Sequence, residues 1–185
     1  ELVEAEISTY GTLKLIKERN NEGIMDIKNG LISINSLQKE MPKEGVMLSA
    51  ELSKVNLESI NSLLKSFNSE PFITNADINI QEFNIYGYKL SNANIKYVPT
   101  NGNISIQILS NDVSGNILLN HKENLLKAGF EKLHLKKNNS LTDEEDKFIF
   151  SNPPKIKIKI NSLALNDKVY GGLSLDAYKE NKVWN

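Results

Sequence analysis

The places where this chain could do chemistry are two histidines, one acidic run, one lysine stripe and one glycine pair. His121 and His134 are the only histidines, and neither stands at a metal-binding spacing from the other or in an HExxH helix. His134 lies between Leu133 and Leu135, where an outward-pointing strand position is the plainer reading. Thr142-Asp143-Glu144-Glu145-Asp146 could attract a cation, but it lacks the glycine turn and oxygen spacing of a calcium loop, so a solvated loop is preferred. Lys155, Lys157 and Lys159 alternate with Ile156, Ile158 and Ile160; the stripe could draw anionic lipid head groups, but the wet face of an amphipathic strand explains it more simply. Tyr170-Gly171-Gly172 has neither the GxxxxGK[ST] pattern nor the strand-GxGxxG-helix context of a phosphate loop, and reads as a backbone bend. No cysteine is present, which excludes disulfides, thiolate catalysis and Cys-ligated zinc. No nucleophile, base and orienting group converge, so we expect no catalytic residue, no metal, no cofactor and no enzymatic activity.

Bulk properties narrow the classes further. With 22 basic and 23 acidic residues the formal charge is −1, so no global field favours nucleic acid, and none is expected as a partner. The sequence holds no run of about twenty apolar residues of the kind that spans a bilayer as a helix. At 185 residues the chain suffices for one domain or for a segment of a longer repetitive one. Its first residue is Glu1 rather than Met and its last lie in a strand-like Val183-Trp184, so a piece of a larger protein is expected.

The elements that must position any surface are strands. From Asp77 to Ser110 the period is two: Ile78 and Ile80, then Ala93, Ile95 and Tyr97, then Ile104, Ile106 and Ile108 alternate with polar residues, which places one apolar and one polar surface on the same strands. Asn101-Gly102 supplies a turn between two of them. Earlier, Leu2–Ile7 and Thr12–Lys17 read as strands meeting near Tyr10-Gly11. Ile24–Ile27 and Leu31–Leu37 read as a hairpin turning at Asn29-Gly30, and Val46–Leu52 as another strand after Pro42. Leu57–Phe67 carries Leu57, Ile60, Leu63, Leu64 and Phe67 at helical spacing behind a possible Asn56 cap, which predicts the one substantial helix. Strands follow at Val113–Leu119 and Leu125–Leu135, a polar excursion with a short helical turn at Thr142–Glu145, and strands at Lys155–Leu165 and Val169–Lys179.

A repeat appears on overlaying them. Ile78–Ile85 matches Ile158–Leu165 at an offset of 80 positions (158 − 78), and Ala128–Leu135 has the same form. In each, apolar parity switches across two polar residues: Gln81-Glu82, Glu131-Lys132 and Asn161-Ser162. Such a switch predicts a bulge or bend at related positions, hence a curved sheet that grows by adding units.

Asp112–Leu119 followed by Leu125–Leu135 resembles the glycine-containing strand, short turn and leucine-paired strand of the AsmA-like superfamily of Gram-negative envelope proteins, most nearly its YhdP type and more distantly TamB. Pro153–Leu175, with Leu163, Leu165 and Gly171-Gly172, is similar to the unit that follows. Gly45–Leu52 leading into Leu57–Phe67 matches more loosely. One departure is Leu118-Leu119, where that family often has an aromatic residue.

The resemblance implies a mainly β, curved and elongated antiparallel β-groove. Residues 1–70 would form its N-terminal part with the helix, and 71–185 its repeated units. It also implies a periplasmic location in a parent protein anchored in the inner membrane. The groove would shield phospholipid acyl chains between inner and outer membranes, and Ile78, Ile80, Ile104, Ile106, Ile108, Ile156, Ile158 and Ile160 are the expected lining. Apolar alternation serves a filled core equally well, so a structural or adhesive β-repeat without ligand stands as the alternative.

Overall fold

A computed structural model of the chain describes residues 1–7, 10–37, 40–57, 73–100, 102–137, 154–166, 168–180 and 183–184. The strands are β1 (Leu2–Ile7), β2 (Gly11–Arg19), β3 (Met25–Ile34), β4 (Gly45–Asn56), β5 (Asn75–Ile85), β6 (Tyr88–Thr100), β7 (Asn103–Leu109), β8 (Val113–Asn120), β9 (Leu125–Lys137), β10 (Lys155–Leu165) and β11 (Lys168–Ala177). All eleven belong to one sheet in chain order, while β12 (Lys179–Glu180) and β13 (Val183–Trp184) form a separate small ladder.

Cross-strand register turns the local alternation into two surfaces, because directly paired residues project to the same side. One row reads Ala5, Leu13, Ile32, Leu48 and Ala76 across β1 to β5. It continues through Tyr97, Ile106, Ile117, Ala128, Ile158 and Leu175 across β6 to β11, apolar or aromatic at every strand. The row one residue away runs from Thr12 through Ser33, Ser49, Asp77, Lys96 and Gln107 to Asn116, Gly129, Lys159 and Ser174, polar or glycine throughout.

The fold departs from expectation in its pairing, its architecture and its helix. Three junctions, β3–β4, β4–β5 and β9–β10, are parallel. Parallel neighbours cannot be joined by a tight turn and need a crossover connection, here between β3 and β4, β4 and β5, and β9 and β10. With each strand laid beside the one before it, the sheet reads as a β-solenoid rather than as the elongated antiparallel groove. Of the helix expected at Leu57–Phe67, Leu57 alone among the described residues has helical geometry, so the helix is not borne out there; residues 58–72 lie outside the described part, as does the turn expected at Thr142–Glu145.

Asn29-Gly30 is not a hairpin turn either. It lies within β3 beside a register shift, Ile16 pairing with Asn29 but Lys17 with Ile27. A Cβ on Gly30 would stand 2.4 Å from Leu15 Cδ2, so the glycine serves close packing inside the strand. The crossover that follows covers the polar side of β3 and β4: Asn29 Nδ2 donates to the Pro42 carbonyl at 2.9 Å, the Ser36 and Ser49 hydroxyls meet at 2.7 Å, and Leu31 is 1% exposed. Parallel strands are commonly covered on both faces.

The parity switches of β9 and β10 mark register shifts, whereas that of β5 does not. In β9 the register against β8 shifts between Phe130 and Lys132, and in β10 the register against β11 shifts between Ile160 and Leu163. β9 and β10 step together, pairing Phe130 with Ile160 and Leu133 with Leu163 in one parallel register. At β5 the neighbours step too: Ile80 pairs with Leu52 and Ala93, and Glu82 with Lys54 and Ser91, without a shift. Opposite Gln81, Asn92 takes φ 52°. The result is that Ile80 and Phe83, three residues apart, enter the same core.

That core fills one end of the sheet. Ile80, Phe83, Leu90, Ala93 and Val113 are at most 5% exposed and pack with Val55, Leu133 and Leu135. Here β6 pairs directly with β9, Tyr88 opposite Lys137 and Lys89 opposite Lys136. β7 and β8, of 7 and 8 residues, are shorter than the 13-residue β6 and β9, so their hairpin separates the long strands over only part of their length. Tyr86 and Asn166, 80 positions apart, follow β5 and β10 with positive φ of 45° and 54°.

Candidate functional site

The apolar face is the surface that the sequence prepares most consistently. Ile78, Ile108 and Ile160 fall in one row, joined through Ile95, Gly115 and Phe130. Ile106 and Ile158 share the row joined by Ile117 and Ala128, and Ile104 and Ile156 the row joined by Leu119 and Leu126. Ile80 pairs with Ala93, one row nearer the bend. All eight isoleucines therefore project to one side.

Their burial is not uniform. Ile80 and Ile160 are 4% and 5% exposed at the bend, and Ile78 and Ile108 pack on the core cluster. Ile104, Ile106, Ile156 and Ile158 are only half-buried, as are Ile117, Leu119 and Leu126 between them. At the far edge Leu173 and Leu175 are 45% and 44% exposed. Ile80 and Ile160 are thus closed in, whereas Ile104, Ile106, Ile156 and Ile158 stay partly accessible beside the buried Ala76 and Ala128.

Ile95, Tyr97, Ile117, Leu119, Leu126 and Phe130 belong to this surface although the isoleucine pattern did not single them out. Their own alternation in β6, β8 and β9 was the available signal. Tyr97 lies between Ala76 and Ile106, and burial there pushes its phenol pKa up, because the phenolate is the form that loses most on leaving water.

The polar face carries the charge. Glu82 on β5 is bonded by Lys89 of β6 and by Lys54 of β4 at 2.9 Å, and Asn84 adds a third donor. The Lys89 contact, then those of Lys54 and Asn84, outweigh desolvation and hold the carboxyl down to about 2. In the lysine stripe Lys155, Lys157 and Lys159 are exposed, and Lys157 is paired with Asp176 at 3.1 Å. His134 is half-buried, its Nε2 2.9 Å from the Ser162 hydroxyl on β10, and His121 stands exposed after β8. Among the described residues no three His, Asp or Glu side chains gather as a metal site, and no helix is long and apolar enough to cross a membrane.

A protein built around one eleven-stranded sheet, with an apolar row on one side and a polar row on the other, is the class that fold and surface define. The family model described as YhdP protein matches residues 6–185, and the chain belongs to the YhdP family. That membership agrees with the AsmA-like resemblance and points toward envelope lipid transport. No curated protein and no solved structure matches the chain.

Proposed function

We propose that this chain is a periplasmic segment of an envelope lipid-transfer protein, in which phospholipid acyl chains lie against the open part of the apolar face while head groups remain in water. On this reading the parent protein is anchored in the inner membrane and spans toward the outer one, and the segment catalyses no reaction of its own. The observation that supports the proposal is the apolar row crossing all eleven strands, whose members Ile106, Ile117 and Ile158 stay only partly buried. A sheet face of this kind is stabilised equally by protein or by an acyl chain, at roughly 25 cal/mol per Å² of apolar area removed from water. Family membership supports a lipid as the class of ligand.

The test combines photocrosslinking with two substitutions. A photoreactive residue at Ile104, Ile106 or Ile158 is expected to form adducts with phospholipid, and one at Lys96 or Gln107 on the polar face is not. Ile106→Asp should leave the chain folded and abolish neighbouring adducts, whereas Ile80→Asp should unfold it, since a carboxylate in the closed core has no partner. Unfolding by Ile106→Asp, together with no lipid adduct from any of the eight isoleucine positions, would instead support the ligand-free β-repeat.

A further inference from the structure

At the filled end of the sheet β6 meets β9 directly, so β5, β6, β9, β10 and β11 end or begin there side by side. At about 4.8 Å per strand they make a ledge roughly 20 Å wide. Lys89 stands opposite Lys136 and Tyr88 opposite Lys137, and Lys168 opens β11. Like charges directly across a ladder are unfavourable within the fold itself. Glu82 offsets part of this by bonding Lys54 and Lys89, and Lys132 reaches the Asn111 carbonyl. Lys136, Lys137 and Lys168 are exposed. These six lysines stand against Glu82 and Asp112, and with Asp167 counted from the sequence the surplus is three (6 − 3), in a chain whose formal charge is −1.

Aromatic and apolar side chains join the lysines there. Tyr86 has φ 45° and Gly87 φ 78°. Asparagine is the side-chain-bearing residue that takes this backbone most readily, and Asn166, 80 positions on, is the ordinary choice. Asn166 is tied in as well, its Oδ1 accepting the Lys137 backbone N–H at 2.8 Å. Tyr86 takes on the conformational cost while staying 38% exposed, so burial within this fold recovers little of it. At the start of β11, Val169 and Tyr170 are 69% and 54% exposed, and the Lys168 ammonium lies 5.1 Å from the centre of the Tyr170 ring. Rings with a polar tip beside long lysine stems suit the layer between lipid phosphates and acyl chains, where tyrosine is enriched. A soluble polyanion would pair with the lysines and leave Val169 in water.

We propose that this end of the sheet docks on the surface of an anionic bilayer, with Lys136, Lys137 and Lys168 against lipid phosphates and Tyr86, Val169 and Tyr170 supplying the apolar contact. The inference concerns strand ends rather than the apolar face, so it stands or falls separately from acyl-chain binding.

Co-sedimentation of the whole chain with vesicles tests it. The chain should bind vesicles of phosphatidylcholine mixed equally with phosphatidylglycerol, bind phosphatidylcholine alone much less, and let go as salt rises. Lys136→Gln combined with Lys168→Gln should lower partitioning about tenfold or more, since each lysine near an anionic surface contributes separately. Tyr86→Asn should weaken binding severalfold while keeping or raising the urea midpoint, because asparagine suits the turn; a tyrosine needed for the fold alone would give the opposite pair of results. No binding to the anionic vesicles at low salt, equal binding to both kinds, or binding lost in Ile106→Asp but kept in the lysine variant would each overturn the proposal, the last by assigning the lipid contact to the apolar face.

Discussion

Gly115 sits on the apolar face between Ile108 and Phe130, where every other member of its row from β5 to β11 has a side chain. A Cβ there would lie 2.3 Å from a Phe130 ring carbon and 2.5 Å from the Gly129 carbonyl oxygen. The ring could swing aside, but the carbonyl is held in the β8–β9 ladder. Gly115→Ala should therefore destabilise the chain by about 1–3 kcal/mol, the usual cost of overpacking, measured as a lower urea midpoint at unchanged slope. An unchanged midpoint would mean that Phe130 does not pack over the glycine. The glycine of the YhdP-like motif was legible as a residue type, whereas its reason, the aromatic ring of the next strand, required the register.

Three elements meet at Glu82, which ties β5 to β4 through Lys54 and to β6 through Lys89. Its folded-state pKa of about 2 lies below the ordinary 4.5, so its contribution to stability is fully present above about pH 4.5 and is lost as pH falls through about 2. Glu82→Gln should accordingly lower the urea midpoint at neutral pH, with the gap between variant and native chain narrowing below pH 4.5 and closing near pH 2. A gap independent of pH would show that packing rather than charge holds the three strands there. The parallel junctions belong to this scale as well. Period-2 alternation is the same for a strand in parallel or antiparallel pairing, so the sequence of β4, β5, β9 and β10 carried no sign of direction. The length of the connections is the one sequence feature that bears on direction, since a crossover needs more residues than a hairpin.

Across the whole molecule stability should be graded. The core cluster lies on β5, β6 and β8, with side chains of β4 and β9 against it, while β11 is an edge strand with Leu173, Leu175 and Val169 exposed. Amide hydrogen exchange should be slowest at Ile80, Phe83 and Leu90 and fastest along the unpaired edge of β11, by orders of magnitude, because local opening at an edge exposes little apolar surface. Uniform protection across all strands would contradict a closed end and an open end in one sheet.

The sequence by itself determined that the chain is built of strands with one apolar and one polar face, that it reverses between β1 and β2 and between β6 and β7, and that a parity switch recurs at an offset of 80. Those are local properties, since alternation, glycine in a turn and a parity switch are each written within a few residues. The tertiary structure alone decided that Asn29-Gly30 is a packed interior of β3, that three junctions run parallel, and that Ile80 and Ile160 are closed in while Ile106 and Ile158 stay half open. Whether an isoleucine is covered depends on which strands reach it. The short β7–β8 hairpin, separating β6 from β9 over part of their length, sets that reach for both ends of the sheet.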